Sequence, residues 1–231
     1  MKILITGGSS GIGKAIVENL MIKHEITVLD KKSLCLDEIR FLSLDLASTE
    51  EMNTFLLESD GEYDALINAA GIREIIPPHE LDIIEWERVQ KVNVTAPFLL
   101  SKHLIAKALQ KNKKLSIINM ASVSGLLGEP DRAAYVTSKH AIIGLTKQLA
   151  FQYGKYGVRV NAIAPGIIET PLTEAYFTNP ETVDLIQKNT PLARWGQPDH
   201  LNSLVNICLD NDYMTGSILV CDGGWSCGKA L

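Results

Sequence analysis

Lys2-Ile3-Leu4-Ile5-Thr6-Gly7-Gly8-Ser9-Ser10-Gly11-Ile12-Gly13 is the stretch on which the fold turns. Lys2–Thr6 is a short apolar run of strand length, and a helix-period pattern, Gly13–Met21, follows the glycines. Glycines let the backbone turn tightly and approach a ligand closely. The helix start behind them offers free N–H groups and a positive dipole end, which suits a pyrophosphate. The spacing is GxxxGxG rather than the GxGxxG dinucleotide fingerprint, so a plain strand-to-helix turn is the alternative.

The same alternation runs through the rest of the chain. Strand-like runs occur at Glu25–Leu29, Arg40–Leu44, Ala65–Asn68, Leu115–Met120, Arg159–Ala164 and Ile218–Val220. Helix-period stretches occur at Thr49–Leu57, Trp86–Lys111, Ala133–Tyr153 and Pro198–Leu209. Strand and helix in turn predict an α/β fold: one doubly wound Rossmann-type domain over residues 1–231, with about seven parallel strands and helices on both faces. Residues 171–197 interrupt the pattern with Pro171, Pro180 and Pro191 and short helical pieces. A long insertion at the carboxyl end of a parallel strand predicts a substrate loop or lid.

Composition narrows the function classes. The chain has 231 residues, 46% hydrophobic and 21% charged, with a net charge of −5. It has no basic block for nucleic acid and no apolar run of the roughly 20 residues that span a bilayer. The start reads as a strand rather than a signal peptide, and the four cysteines form no CxxC pair. A cytoplasmic protein with reduced thiols is expected, acting on a small molecule without nucleic acid or membrane as partner. The five histidines form no HExxH, so no metal site is expected.

The second strand ends at Asp30, 17 residues after Gly13. An acid there can accept hydrogen bonds from ribose hydroxyls and repel a 2′-phosphate, which favours NAD. Lys31 and Lys32 follow and can bind a phosphate, so NADP stays open.

Tyr135 and Lys139 lie one helical turn apart in Tyr135-Val136-Thr137-Ser138-Lys139, and Ser122 follows the run Leu115–Met120. Together they suggest alcohol/carbonyl chemistry, in which a nicotinamide cofactor moves the hydride and the protein moves the proton. A phenol titrates near 10, and lowering that by about three units takes roughly 4 kcal/mol. The Lys139 ammonium is expected to supply part of it, and the oxidised nicotinamide more. Ser122 can hydrogen-bond the substrate oxygen.

These motifs, in order along the whole chain, resemble the short-chain dehydrogenases/reductases. Gly7, Ser9, Ser10, Gly11, Ile12 and Gly13 then correspond to the family's cofactor turn, and Asp45-Leu46 to its adenine-contacting pair. Asn68-Ala69-Ala70-Gly71 resembles the signature beside the cofactor. Pro165, Gly166, Ile168 and Thr170 resemble the segment holding the nicotinamide carboxamide, and Asp222-Gly223-Gly224 the C-terminal turn. The resemblance implies a catalytic tetrad of Asn93, Ser122, Tyr135 and Lys139, with Asn93 holding a water and Lys139 also binding the ribose. It also implies a homo-oligomer, a tetramer packed through the helices of Trp86–Lys111 and Ala133–Tyr153.

The implied activity is hydride transfer between NAD(H) and a small alcohol or ketone. The alternatives are an NADPH-dependent reductase of ketoacyl groups on acyl carrier protein and a non-catalytic dinucleotide sensor. Substrate contacts are expected from Ser124, Tyr176 and Phe177, and from apolar residues including Ile72, Ile75, Leu126 and Leu172. Arg73, Glu129, Asp131 and Arg132 face either solvent or a polar substrate. One departure from the family stands out: the span from Asp30 to Asp45 leaves too little room for the usual helix, so Lys31–Ile39 is expected as a loop or single turn.

Overall fold

The computed structural model describes residues 1–34, 36 and 38–228; Cys35, one of the four thiols, lies outside the described residues. Seven parallel strands are ordered β3-β2-β1-β4-β5-β6-β7. They are β1 (Lys2–Thr6), β2 (Glu25–Asp30), β3 (Arg40–Ser43), β4 (Ala65–Asn68), β5 (Leu115–Met120), β6 (Val158–Pro165) and β7 (Ile218–Cys221). The order reverses between β1 and β4, the switch point at which such sheets open a crevice.

Both faces are covered, as fully apolar parallel strands require. On one face Ile3, Ile5, Val28 and Ile118 pack with α1 (Gly11–Leu20) and α8 (Asn202–Asp210) through Ile16, Val17, Val205 and Cys208. On the other, Leu4, Leu29, Leu66 and Ile117 meet α2 (Thr49–Glu58), α4 (Ala96–Lys111) and α5 (Ala133–Tyr153) through Met52, Leu100, Leu104 and Leu149.

Three places depart from the helical stretches read in the sequence. The stretch predicted as one helix from Trp86 begins earlier, as α3 (Ile83–Gln90) behind an Asp82 cap that accepts the Glu85 N–H at 2.8 Å. It then widens into a π turn, Lys91–Thr95, before α4. Pro97 follows at once and has no N–H to bond the Asn93 carbonyl, and the Ala96 N–H reaches back five residues to Lys91. Pro198–Leu201 forms a 3₁₀ turn ahead of α8.

No helix connects β2 to β3 among the described residues, as the short spacing predicts. Leu34, Leu36 and Ile39 pack directly under the sheet in its place. Residues 171–197 hold two helices, α6 (Glu174–Phe177) and α7 (Pro180–Asn189). Their far end is tied to the C-terminal turn, where the Leu192 N–H donates to the Gly223 carbonyl at 3.1 Å. No helix of the described residues is long and apolar enough to cross a membrane.

Candidate active site

A cleft of about 360 Å³ opens at the switch point. Its floor is the glycine turn. A side chain at Gly7 would begin 2.6 Å from the Ala70 Cα, and one at Gly13 would begin 2.0 Å from the Gly7 carbonyl oxygen. Only bare backbone fits there. Ser10, the cap of α1, makes no side-chain bond to the helix, and no acid lies in its first turn. The leading N–H groups of α1 are thus not engaged by a side-chain cap, the arrangement that suits a phosphate.

Gly7, Ser10, Gly11, Ile12 and Gly13 line this cleft, as do Asp30, Asp45 and Leu46 at one end. Ala69, Ala70 and Gly71, after β4, line its middle, and Ser122, Tyr135, Lys139, Pro165, Gly166, Ile168 and Thr170, on the β5–β6 side, its other end. Lys31, Lys32 and Arg88 also line it, beside the two acids. The Asp30 carboxylate accepts the Ser9 N–H and the Lys32 N–H, each at 3.1 Å.

Several expected contacts back the cleft instead of lining it. Ser9 ties the turn to β2 through its hydroxyl, which donates to the Lys32 carbonyl at 2.6 Å. Asn68 donates across the sheet to Asn119 at 2.8 Å. Asn93 clasps Ile72, accepting its N–H at 2.9 Å and donating to its carbonyl at 2.8 Å, and donates to Ser138 at 3.0 Å. Its Oδ1 and the Lys139 Nζ flank the bare side of Gly71, 3.7 and 3.5 Å from where a side chain would start. Phe177 packs on Trp195 within the 171–197 segment, and Ile75 and Leu126 are exposed.

The electrostatics differ from the sequence expectation. Lys139 is buried, its Nζ donates to the Met120 carbonyl at 2.8 Å, and it stands 5.5 Å from the centre of the Tyr135 ring. Burial lowers its pKa to about 8. The Tyr135 phenol is pushed above its ordinary value by burial. A Ser122 hydrogen bond opposes that shift, Glu129 adds to it, and Arg73 and Arg132 oppose it.

Glu74 is the residue that the sequence reading missed. It is buried, and its carboxylate accepts the Ala134 N–H at 2.7 Å and the Tyr135 N–H at 3.2 Å. The first turn of α5 has no acid and no side-chain cap of its own, so Glu74 caps it from 61 residues away. The signal available was a helix start without a cap. Glu74→Ala is expected to cost about 1–3 kcal/mol in urea unfolding, because two N–H donors lose a charged acceptor. A roughly tenfold fall in kcat should accompany it as Tyr135 loses its anchor. Wild-type stability in the variant would remove this role.

A glycine cradle at the switch point, with a Tyr–Lys pair at its far end, defines a Rossmann-type dinucleotide oxidoreductase. The chain belongs to the short-chain dehydrogenase family, whose model, described as short chain dehydrogenase, matches residues 1–181. It is 32% identical over 241 residues to 2,5-dichloro-2,5-cyclohexadiene-1,4-diol dehydrogenase of Sphingobium indicum, covering 97% of this chain and 96% of that protein. The structure of 4-hydroxyisoleucine dehydrogenase complexed with NADH is 40% identical, with a TM-score of 0.95 over 99% of both chains. A gluconate 5-dehydrogenase from Burkholderia cenocepacia, in complex with NADP and tartrate, is 27% identical, with a TM-score of 0.91 over 98% of this chain and 95% of that one.

Proposed function

We propose that this chain is an NAD(H)-dependent dehydrogenase that interconverts a small alcohol and its ketone, with Tyr135 as the acid/base, within one catalytic unit built on the single sheet. The observation that carries this reading is the meeting of Ser122, Tyr135 and Lys139 at the end of the cleft opposite Asp30. The relatives are named for alcohols, and the solved neighbours hold NADH or NADP.

The glycine turn and the start of α1 would hold the pyrophosphate, Asp30 the ribose, and Lys139 with the Pro165–Thr170 segment the nicotinamide end. When bound, the nicotinamide supplies the hydride chemistry. In reduction the neutral Tyr135 phenol donates its proton to the carbonyl oxygen, and Ser122 hydrogen-bonds that same oxygen. In oxidation the Tyr135 phenol first gives up its own proton to solvent, and the phenolate then takes the proton of the alcohol. Asn93 fixes the loop after β4 against α5 through Ile72 and Ser138.

The test is a steady-state comparison of both cofactors with one alcohol that turns over. Asp30 should favour NADH over NADPH by at least about tenfold in kcat/KM, one unfavourable charge pairing being worth that much. The second reading, an NADPH-dependent reductase, draws support from Lys31 and Lys32 along the same edge. A tenfold preference for NADPH would establish it.

Lys139 gives a further expected result. In the fold it loses its proton at about 8, and in the unfolded chain near 10.4. Between these values the unfolded chain binds more protons, so raising the pH favours the fold. Comparing wild type with Lys139→Met in guanidine unfolding, wild type should gain about 2 kcal/mol on the variant between pH 7.5 and 10. An unchanging difference would return the amine to its ordinary pKa.

Ile83, Ile84, Phe98 and Phe151 are exposed on α3, α4 and α5. Apolar residues on these helices support association of several copies, as a tetramer, through the faces that the family resemblance implies.

A further inference from the structure

Resting on the dehydrogenase reading above, we propose that the substrate is a hydroxy acid or its oxo acid, with its carboxylate held between Arg73 and Arg132. Arg73 lies in the loop after β4, and Arg132 stands three residues before Tyr135. The Ile76 N–H donates to the Asp131 carbonyl at 2.8 Å and so ties these two segments together beside the cleft. Both guanidinium groups converge on one oxygen, the hydroxyl of Tyr176 in α6, and each donates to it. Their central carbons lie 4.4 and 5.4 Å from the Tyr176 ring centre. Arg73 also reaches the carbonyl of Leu172, a residue of the cleft lining, and both charges bear on the Tyr135 phenol, each favouring its ionised form.

The charges do not balance. Arg132 is paired with Glu129, and Glu129 also accepts the Ser124 hydroxyl at 2.8 Å. Arg73 donates to Tyr176 and to the Leu172 carbonyl and pairs with no carboxylate among the described residues. The Arg132 Nε is buried with no partner. A half-buried guanidinium that meets only neutral oxygens is an incomplete pair. The group that completes it is a planar anion able to take two parallel N–H bonds. Arg73, with no carboxylate paired to it among the described residues, matches a monoanion, a carboxylate rather than a phosphate. The Tyr176 oxygen marks the point that both arginines reach at once, and the substrate carboxylate takes or shares it.

The experiment has two arms. In the first, NADH-loaded protein is titrated with butanoate and butanamide, which have no alcohol to oxidise, and binding is read by ligand-observed NMR. Butanoate should bind at least about tenfold tighter, and Arg73→Met should remove that preference. Equal binding overturns the proposal, and so does inorganic phosphate that competes more strongly than butanoate. In the second arm, kcat/KM is measured for 3-hydroxybutanoate, 4-hydroxypentanoate and 5-hydroxyhexanoate against their methyl esters. The best acid should exceed its ester by about 30-fold. Arg73→Met should lower the acid at least tenfold more than the ester, a ratio insensitive to general disturbance of the 171–197 segment. Equal turnover of acids and esters overturns the carboxylate assignment and leaves the dehydrogenase reading standing. A butanoate preference without turnover of any alcohol overturns the dehydrogenase reading and leaves the anion site standing.

Discussion

Tyr135→Phe is expected to lower kcat by about 10³-fold, within the range for removal of a positioned acid/base, while NADH affinity stays within about threefold. The ring stays and only the oxygen goes. Burial keeps that phenol neutral near pH 7, so the lost group is a proton donor already in its working form. Cofactor binding should survive because the Lys139 amine is held by the Met120 carbonyl and not by the phenol. Nicotinamide absorbance gives the rate, and NADH fluorescence the affinity. Near wild-type turnover would show that another group moves the proton. A collapse of NADH binding along with rate would show that the phenol holds the cofactor site together.

The other large effect belongs to the turn. In Gly13→Ala the new methyl would meet the Gly7 carbonyl oxygen at 2.0 Å and its carbon at 2.7 Å. Neither is the tip of a flexible side chain. Gly7 cannot retreat, because it has a φ of +71° and Ala70 is packed behind it. The turn must open, at an expected cost of about 3 kcal/mol in unfolding free energy, as for other overpacked sites. NADH affinity should fall at least about 100-fold as the N–H groups lose their aim. Gly144→Ala is the matching control. It lies in α5 with nothing within 4 Å of the added atom, so it should stabilise by up to about 1 kcal/mol. Equal behaviour of the two variants would remove the steric argument.

What the sequence made legible was periodic or local. Alternation of short apolar runs with helical stretches located all seven strands, and the short span from Asp30 to Asp45, set against the family's usual helix, predicted a loop or single turn between β2 and β3. The π turn escaped because one extra residue hardly disturbs a pattern of apolar positions, although Pro97 marked its place. Glu74 escaped because its partners are backbone groups on another element, a relation with no local pattern. The Tyr135–Lys139 spacing placed both residues correctly on α5. It could not say where a four-carbon side chain points, and the amine went to the Met120 carbonyl. Asn68 and Ser9 matched a motif by position, yet their side chains brace the cleft from behind.

The short passage from β2 to β3 bears on colloidal behaviour as well. Among the described residues β3 is the last strand on its side of the sheet, so one rim of its peptide groups has no neighbouring strand there. Such a rim can template pairing with a foreign chain. Two things blunt it: β3 is only four residues long, and Arg40 at its start is exposed. Short length and a flanking charge are the usual means by which native sheets resist edge-to-edge aggregation.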